Sequence, residues 1–358
     1  MNVESYLDEF TRRDWQVTEE GVIRMAIIGL GTFAVNRALP GMQQSTLCEP
    51  TVLVSSSQDK AGAVGDEFGI TTTLDYQEFL DGAATDRYDG VYIATPPAYH
   101  REYVEAAASF GKAILCEKPL AATVEDAERM VDACSHHDVM LMTAYRLRTE
   151  PAVRRVREMV DDGLIGRVIH IGSVFSTDLQ AYQDKRSWRL DPAIAGGGAL
   201  IDVGIHPLNL ARFLLADEPT SVRGDTVSVT DAYDGVEEHA SFTLSFETGT
   251  TKTGFASFNG HPDNRLNVLG TDGRIFIREP FGGKVSQELF IERHDTRTEY
   301  TGEPVDEVIE EFDYFGNCIL TDAECETDGH DGLADLRIVN AIYDSAATGN
   351  RISLTTPH

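Results

Sequence analysis

Lysine is almost missing from this chain. Of its 30 basic residues only Lys60, Lys112, Lys118, Lys185, Lys252 and Lys284 are lysine, and 59 carboxylates bring the formal charge to −29. A field of that sign repels phosphate backbones and anionic headgroups, so nucleic acid and membrane surfaces are not expected partners. A carboxylate-rich, lysine-poor surface stays hydrated when salt screens charge to a few ångströms, which leads us to expect a halophilic protein. An ordinary acidic cytosolic protein would instead be stable in dilute buffer.

Paired cysteines are lacking too. The five present, Cys48, Cys116, Cys134, Cys318 and Cys325, are odd in number and widely spaced with no C-x-x-C, which argues against a disulfide framework and a thiolate metal site. No apolar run approaches about 18 residues, and the opening MNVESYLDEFTRRDWQ has no basic stretch followed by an apolar core. The expected location is the cytoplasm. Neither repeats nor low-complexity segments are seen, and 42% apolar residues over 358 positions suffice for two packed domains.

From Arg24 onward short apolar runs (MAIIGL, TVLVSSS, GVYIATPP, KAILCEKP, VMLMTAY) alternate with helical stretches such as Tyr99 to Phe110 and Val124 to His136. That rhythm predicts a doubly wound parallel sheet. Beyond Arg146 a helix near Pro151 to Asp162 leads into strand-like segments (VIHIGSVFS, VRGDTVSVT, HASFTLSFE, TKTGFASF, NRLNVLG, GRIFIRE). Two helices, near 305–321 and 332–348, close the chain. The expected division is an extension over 1–23, a parallel-sheet domain over 24–147 and an α+β domain over 148–358.

Three constellations carry chemistry. Gly29-Leu30-Gly31-Thr32-Phe33-Ala34 follows the first apolar run and opens a helical stretch, the context in which G-x-G-x-x-A holds a dinucleotide pyrophosphate. The second run ends in Ser55, Ser56 and Ser57, where NAD-preferring folds place an acid. Serine hydroxyls and Lys60 suit a ribose 2′-phosphate, so NADP is expected, with NAD use also open; the alternative is that these serines only form a turn and helix cap.

Glu117-Lys118-Pro119 ends the fifth run, placing Lys118 beside the crevice at the carboxyl end of a parallel sheet, where an ammonium steadies a developing alkoxide. Finally, in Gly196-Gly197-Gly198-Ala199-Leu200-Ile201-Asp202-Val203-Gly204-Ile205-His206, a helix would put Asp202 and His206 one turn apart, as a carboxylate-oriented general base. A surface Asp/His pair is the plain alternative, and no third ligand suggests a metal.

In this order GLGTFA, ATPPAYH (Thr95, Pro96, His100), CEKP, AYR (Tyr145, Arg146), GGGALIDVGIHPL and DGLADLRIVNAIYDSA resemble the glucose-fructose oxidoreductase/inositol dehydrogenase (Gfo/Idh/MocA) family, over nearly the whole chain. The resemblance implies a Rossmann domain, then a C-terminal α+β domain on a large open, mostly antiparallel sheet that mediates homodimers or homotetramers. It implies cofactor contacts at Thr95, Pro96, His100, Glu117, Lys118 and Arg146, with Lys118, Asp202 and His206 acting on the substrate.

Trp188 and Arg189 resemble a substrate segment of the family's aldose dehydrogenases; the alternative is that they pack their loop. The implied reaction is NADP-dependent oxidation of C1 of an aldopyranose such as D-xylose to the lactone. Members working at C1 often carry Tyr where this chain has His206, and inositol-type members carry His, so a polyol or another sugar carbon is the second reading. A redox-neutral, dinucleotide-retaining glycosidase and a non-catalytic regulator are the readings of other classes.

Overall fold

The computed structural model describes residues 3–8, 10–18, 20–181, 187–281, 288–302 and 305–354, which leaves Lys185 and Lys284 outside the described residues. The chain forms two compact units, each discontinuous in sequence. One comprises Trp15–Arg146 and Asp306–Ala334, the other Met1–Asp14, Leu147–Val305 and Asp335–His358. The linear division at 23/24 and 147/148 read from the sequence thus differs in two places: residues up to Asp14 pack with the second unit, and 306–334 pack with the first.

In the first unit β1 (Ile23–Ile28), β2 (Cys48–Val54), β3 (Thr72–Leu74), β4 (Gly90–Ile93), β5 (Ala113–Glu117) and β6 (Leu141–Ala144) form a parallel sheet in the order β3-β2-β1-β4-β5-β6. Strand order reverses between β1 and β4, the point at which doubly wound sheets bind ligands. β4 and β6 are buried at every position, as expected of strands covered on both faces. Helices His100–Ser109 and Val124–His137 are the crossovers read from the spacing, and Gln58–Phe68 is a further one.

The helix after GLGTFA differs from expectation. It opens as a wide π turn over Ala34–Ala38 and becomes α-helical only at Leu39–Gln44. Pro40 has no N–H for the carbonyl four residues back, and wide turns are a usual accommodation of such a gap. The helix Glu307–Thr321 completes this unit's core. Phe312 meets Tyr92 edge-on at 5.4 Å, and the buried Asp313 accepts from Ser45 Oγ (2.6 Å) and the amide of Thr46 (2.8 Å).

The second unit is built on β7 (Val168–Asp178), β8 (Pro219–Val227), β9 (His239–Phe246), β10 (Thr251–Ser257), β11 (Asn259–Gly270), β12 (Gly273–Arg278), β13 (Glu288–Arg293), β14 (Thr296–Thr301) and β15 (Ile352–Ser353). Their order is β14-β13-β12-β11-β7-β10-β9-β8-β15. Pairings are antiparallel except β7 with β10. Alternating burial along β9 and β10 gives one apolar face and one toward solvent, and helices Pro151–Asp161 and Ile205–Leu215 share an apolar cluster with β7, β11, β12 and β13. Among the described residues no helix is long and apolar enough to cross a membrane.

Candidate active site

The switch point of the parallel sheet is shaped for a dinucleotide. Gly29 follows β1 with φ +95°, and a Cβ there would lie 2.9 Å from Thr95 Cγ2 and 3.0 Å from the Thr95 amide nitrogen. Only glycine satisfies both conditions. Gly31 and Thr32 are exposed, and a Cβ on Gly31 would meet nothing nearer than the Ala94 carbonyl at 4.0 Å, leaving open space above the turn. Ala34 is buried against the core, as the third small residue of the motif must be. The hydroxyl of Thr95, next to this turn, is buried with no hydrogen-bond partner among the described residues. An enclosed, unsatisfied hydroxyl beside a glycine turn fits a polar ligand at that position.

The serines after β2 do local work. Ser55 Oγ accepts from the Ser57 amide (3.2 Å), and Ser57 Oγ accepts from the Lys60 amide (3.3 Å), capping the helix Gln58–Phe68. Both hydroxyls keep their own hydrogen to donate, and Ser56 and the Lys60 side chain are exposed beside them.

β5 delivers Glu117 and Lys118. Glu117 Oε1 accepts a 2.6 Å bond from Tyr92, and burial pushes the Glu117 carboxyl up while Tyr92, Lys118 and Arg146 pull it down. Arg146 donates to Glu307 (3.1 Å) and lies 5.9 Å from the Phe33 ring centre. The glycine motif and the AYR motif therefore meet through Phe33.

His100 behaves differently from a ligand-contacting group. Its ring is fully enclosed, with Nδ1 on the Leu120 carbonyl (3.0 Å) and Nε2 on the Thr95 carbonyl (2.7 Å). Burial holds it below the ordinary histidine value despite these two carbonyls. It ties the loop after β4, with Thr95 and Pro96, to the loop after Lys118.

The second unit carries the remaining residues. The helix bearing Asp202 and His206 opens as another π turn, Leu200–Gly204, before Ile205–Leu215, and Pro207 again lies just beyond it. Asp202 and His206 are both nearly buried. Asp202 Oδ2 accepts a 2.9 Å bond from Arg189 Nε, and Arg189 in turn stacks on Trp188 at 4.3 Å. Trp188 and Arg189 thus join the Asp202 carboxylate, a pairing across 13 residues that the sequence reading did not foresee.

Sequence reasoning also missed Glu237, whose carboxylate receives the Gly198 and Leu200 amides at 2.8 Å each. The one available signal was the triple glycine itself, which offers no side chain to cap its own helix.

Chemically, the first unit supplies a dinucleotide turn and a strand-end lysine. The second holds a buried imidazole and a carboxylate paired with a guanidinium.

Two family models match. One, described as "Oxidoreductase family, NAD-binding Rossmann fold", covers residues 23–145, and the other, "GFO/IDH/MocA C-terminal domain", covers 153–276. D-xylose 1-dehydrogenase [NADP(+)] of Haloarcula marismortui is 42% identical over 99% of this chain and 100% of its own length. D-xylose 1-dehydrogenase (NADP(+)) 2 of Haloferax volcanii is 32% identical over 92% and 98%. Among solved structures, the aldose-aldose oxidoreductase of Caulobacter crescentus, complexed with glycerol, superposes with a TM-score of 0.88 at 31% identity, over 93% of this chain and all of that one.

Proposed function

The chain belongs to the GFO/IDH/MocA oxidoreductase family, and from that membership we propose that it oxidises C1 of an aldopyranose, D-xylose foremost, to the lactone with NADP as oxidant. The observation carrying this reading is the 42% identity, end to end, with an NADP-dependent D-xylose 1-dehydrogenase. NADP, when bound, supplies the acceptor for the hydrogen and electron pair leaving C1. His206 takes the proton of the C1 hydroxyl. Lys118 holds positive charge against the alkoxide as it forms, and Asp202, itself held by Arg189, sets the orientation of His206. Ser55, Ser56, Ser57 and Lys60 receive the 2′-phosphate.

The test is dinucleotide reduction in concentrated KCl, with NADP and NAD each offered D-xylose, D-glucose, L-arabinose and myo-inositol. Rapid NADP reduction by a pentose is expected. His206, where C1-directed relatives often carry tyrosine, favours oxidation of a polyol or another sugar carbon as the second reading. Turnover of myo-inositol alone would establish that reading and overturn the aldose one.

The working form is a homo-oligomer joined through the solvent face of the nine-stranded sheet. Phe255 there is 36% exposed, in one cross-strand row with Val174, Arg265 and Arg278. Sedimentation in high salt should show a dimer or tetramer, and Phe255→Glu should shift it toward monomer.

A further inference from the structure

We infer that Glu237 is the positioning residue of the catalytic helix: its carboxylate, held by Tyr343, fixes the helix start and thereby the placement of Asp202 and His206. This rests on the dehydrogenase reading above. A helix leaves its first amides without partners inside the helix, and a Ser, Thr, Asp or Asn at the start normally serves them. Here Gly196-Gly197-Gly198 and Ala199 precede the π turn, and no side chain of that segment caps it.

One residue from elsewhere in the unit replaces the local cap. Glu237 Oε2 accepts the Gly198 amide (2.8 Å), its backbone carbonyl accepts the Ala199 amide (3.0 Å), and Oε1 accepts the Leu200 amide (2.8 Å). Three successive amides thus rest on a single glutamate, whose negative charge sits at the positive end of the helix. Tyr343, from the helix Gly329–Thr348, donates to Oε1 at 2.8 Å and limits the carboxylate's rotation.

The glycines are the counterpart of this cap. A Cβ on Gly197 would fall 2.1 Å from Tyr343 Oη, and one on Gly198 would fall 2.2 Å from the Glu237 carbonyl oxygen. The glycine run therefore has the shape that admits Glu237 and Tyr343.

The link to the chemistry is one residue long. Gly198 gives its N–H to Glu237, and its carbonyl accepts the Asp202 amide at 3.1 Å. A shift of the Gly198 peptide moves Asp202, and with it the segment that carries His206. Displacements near 1 Å at a reacting group cost on the order of 100-fold in rate.

The experiment compares wild type, Glu237→Gln and Tyr343→Phe as dinucleotide-loaded full-length enzymes in high salt. Four quantities are read: kcat, KM for the sugar, dinucleotide Kd, and amide hydrogen exchange over residues 196–206. Glu237→Gln replaces one accepting oxygen by an NH2 that cannot receive an amide. Its kcat is expected to fall roughly 10- to 100-fold, with dinucleotide Kd within about twofold and faster exchange over 198–202.

Tyr343→Phe, which leaves both carboxylate oxygens in place, should show the same pattern more weakly, and it keeps the question open to test if Glu237→Gln does not fold. A folded Glu237→Gln with wild-type kcat overturns the proposal. So does a loss of activity that follows thermal stability alone, with exchange over 198–202 unchanged. Wild type inert toward every sugar and polyol would overturn the dehydrogenase reading instead, while the exchange comparison would still decide the role of Glu237 as cap.

Discussion

Lys252 is a buried cation in the second unit. It is fully enclosed on β10, donating to Ser173 Oγ (2.5 Å) and the Thr253 carbonyl (3.0 Å) over the Phe242 ring, and burial lowers its pKa from 10.5 to about 7. The unfolded chain binds that proton more tightly than the fold does, so the residue's cost to stability is full below about pH 7 and fades as pH rises toward 10.5. Lys252→Met, of similar length and without charge, should raise the unfolding temperature near pH 7 and lose most of that gain near pH 10, in thermal scans at fixed high salt. Lys118 is the opposite case. Lys118→Ala should lower kcat about 100-fold or more in steady-state assays, the scale of a main electrostatic group, and unchanged turnover would remove it from the mechanism. Lys118 was legible because a strand end and its E-K-P neighbours locate it without tertiary information. The Arg189–Asp202 pair and the enclosure of His100 were not, since both depend on how loops return upon each other.

At the scale of elements, the strand–turn–helix around Gly29 was read correctly because its conditions are local: a buried strand, a residue with positive φ and a small residue facing the core. Gly29→Ala would have to adopt φ near +95° and press its methyl against Thr95, so the turn must deform. Dinucleotide Kd, measured by fluorescence titration, should rise by about tenfold or more. The π turns at Ala34–Ala38 and Leu200–Gly204 were not read, because apolar spacing cannot separate a wide turn from an α-helical one. The prolines at 40 and 207 hold the clue: each removes an amide just where the α pattern would need it. The cap on the helix bearing Asp202 and His206 lies nearly 40 residues downstream in Glu237, beyond the reach of any local pattern.

For the whole molecule, the charge of −29 is the feature with the widest consequence. Raising KCl from about 0.1 M to about 3 M shortens the screening length from roughly 10 Å to under 3 Å. Unfolding temperature and kcat are both expected to rise over that range and to fall reversibly on dialysis into dilute buffer. Full activity in dilute buffer would contradict a salt-adapted surface. The mostly antiparallel sheet of the second unit came from the family resemblance, and β3, β13, β14 and β15 were not read; the presence of two units and the parallel sheet of the first were legible from the alternation of runs. Their discontinuity was not, because the stripe Val308, Phe312, Phe315 reads as an amphipathic helix without saying which sheet it covers. That helix closes over β1, β2 and Tyr92, and its Asp313 serves the loop at 45–47. During synthesis, then, residues 15–146 leave the ribosome with the part of their apolar surface that Glu307–Thr321 covers still bare. The nascent parallel sheet must wait for some 160 further residues before its last covering helix arrives, an interval over which exposed apolar surface favours aggregation.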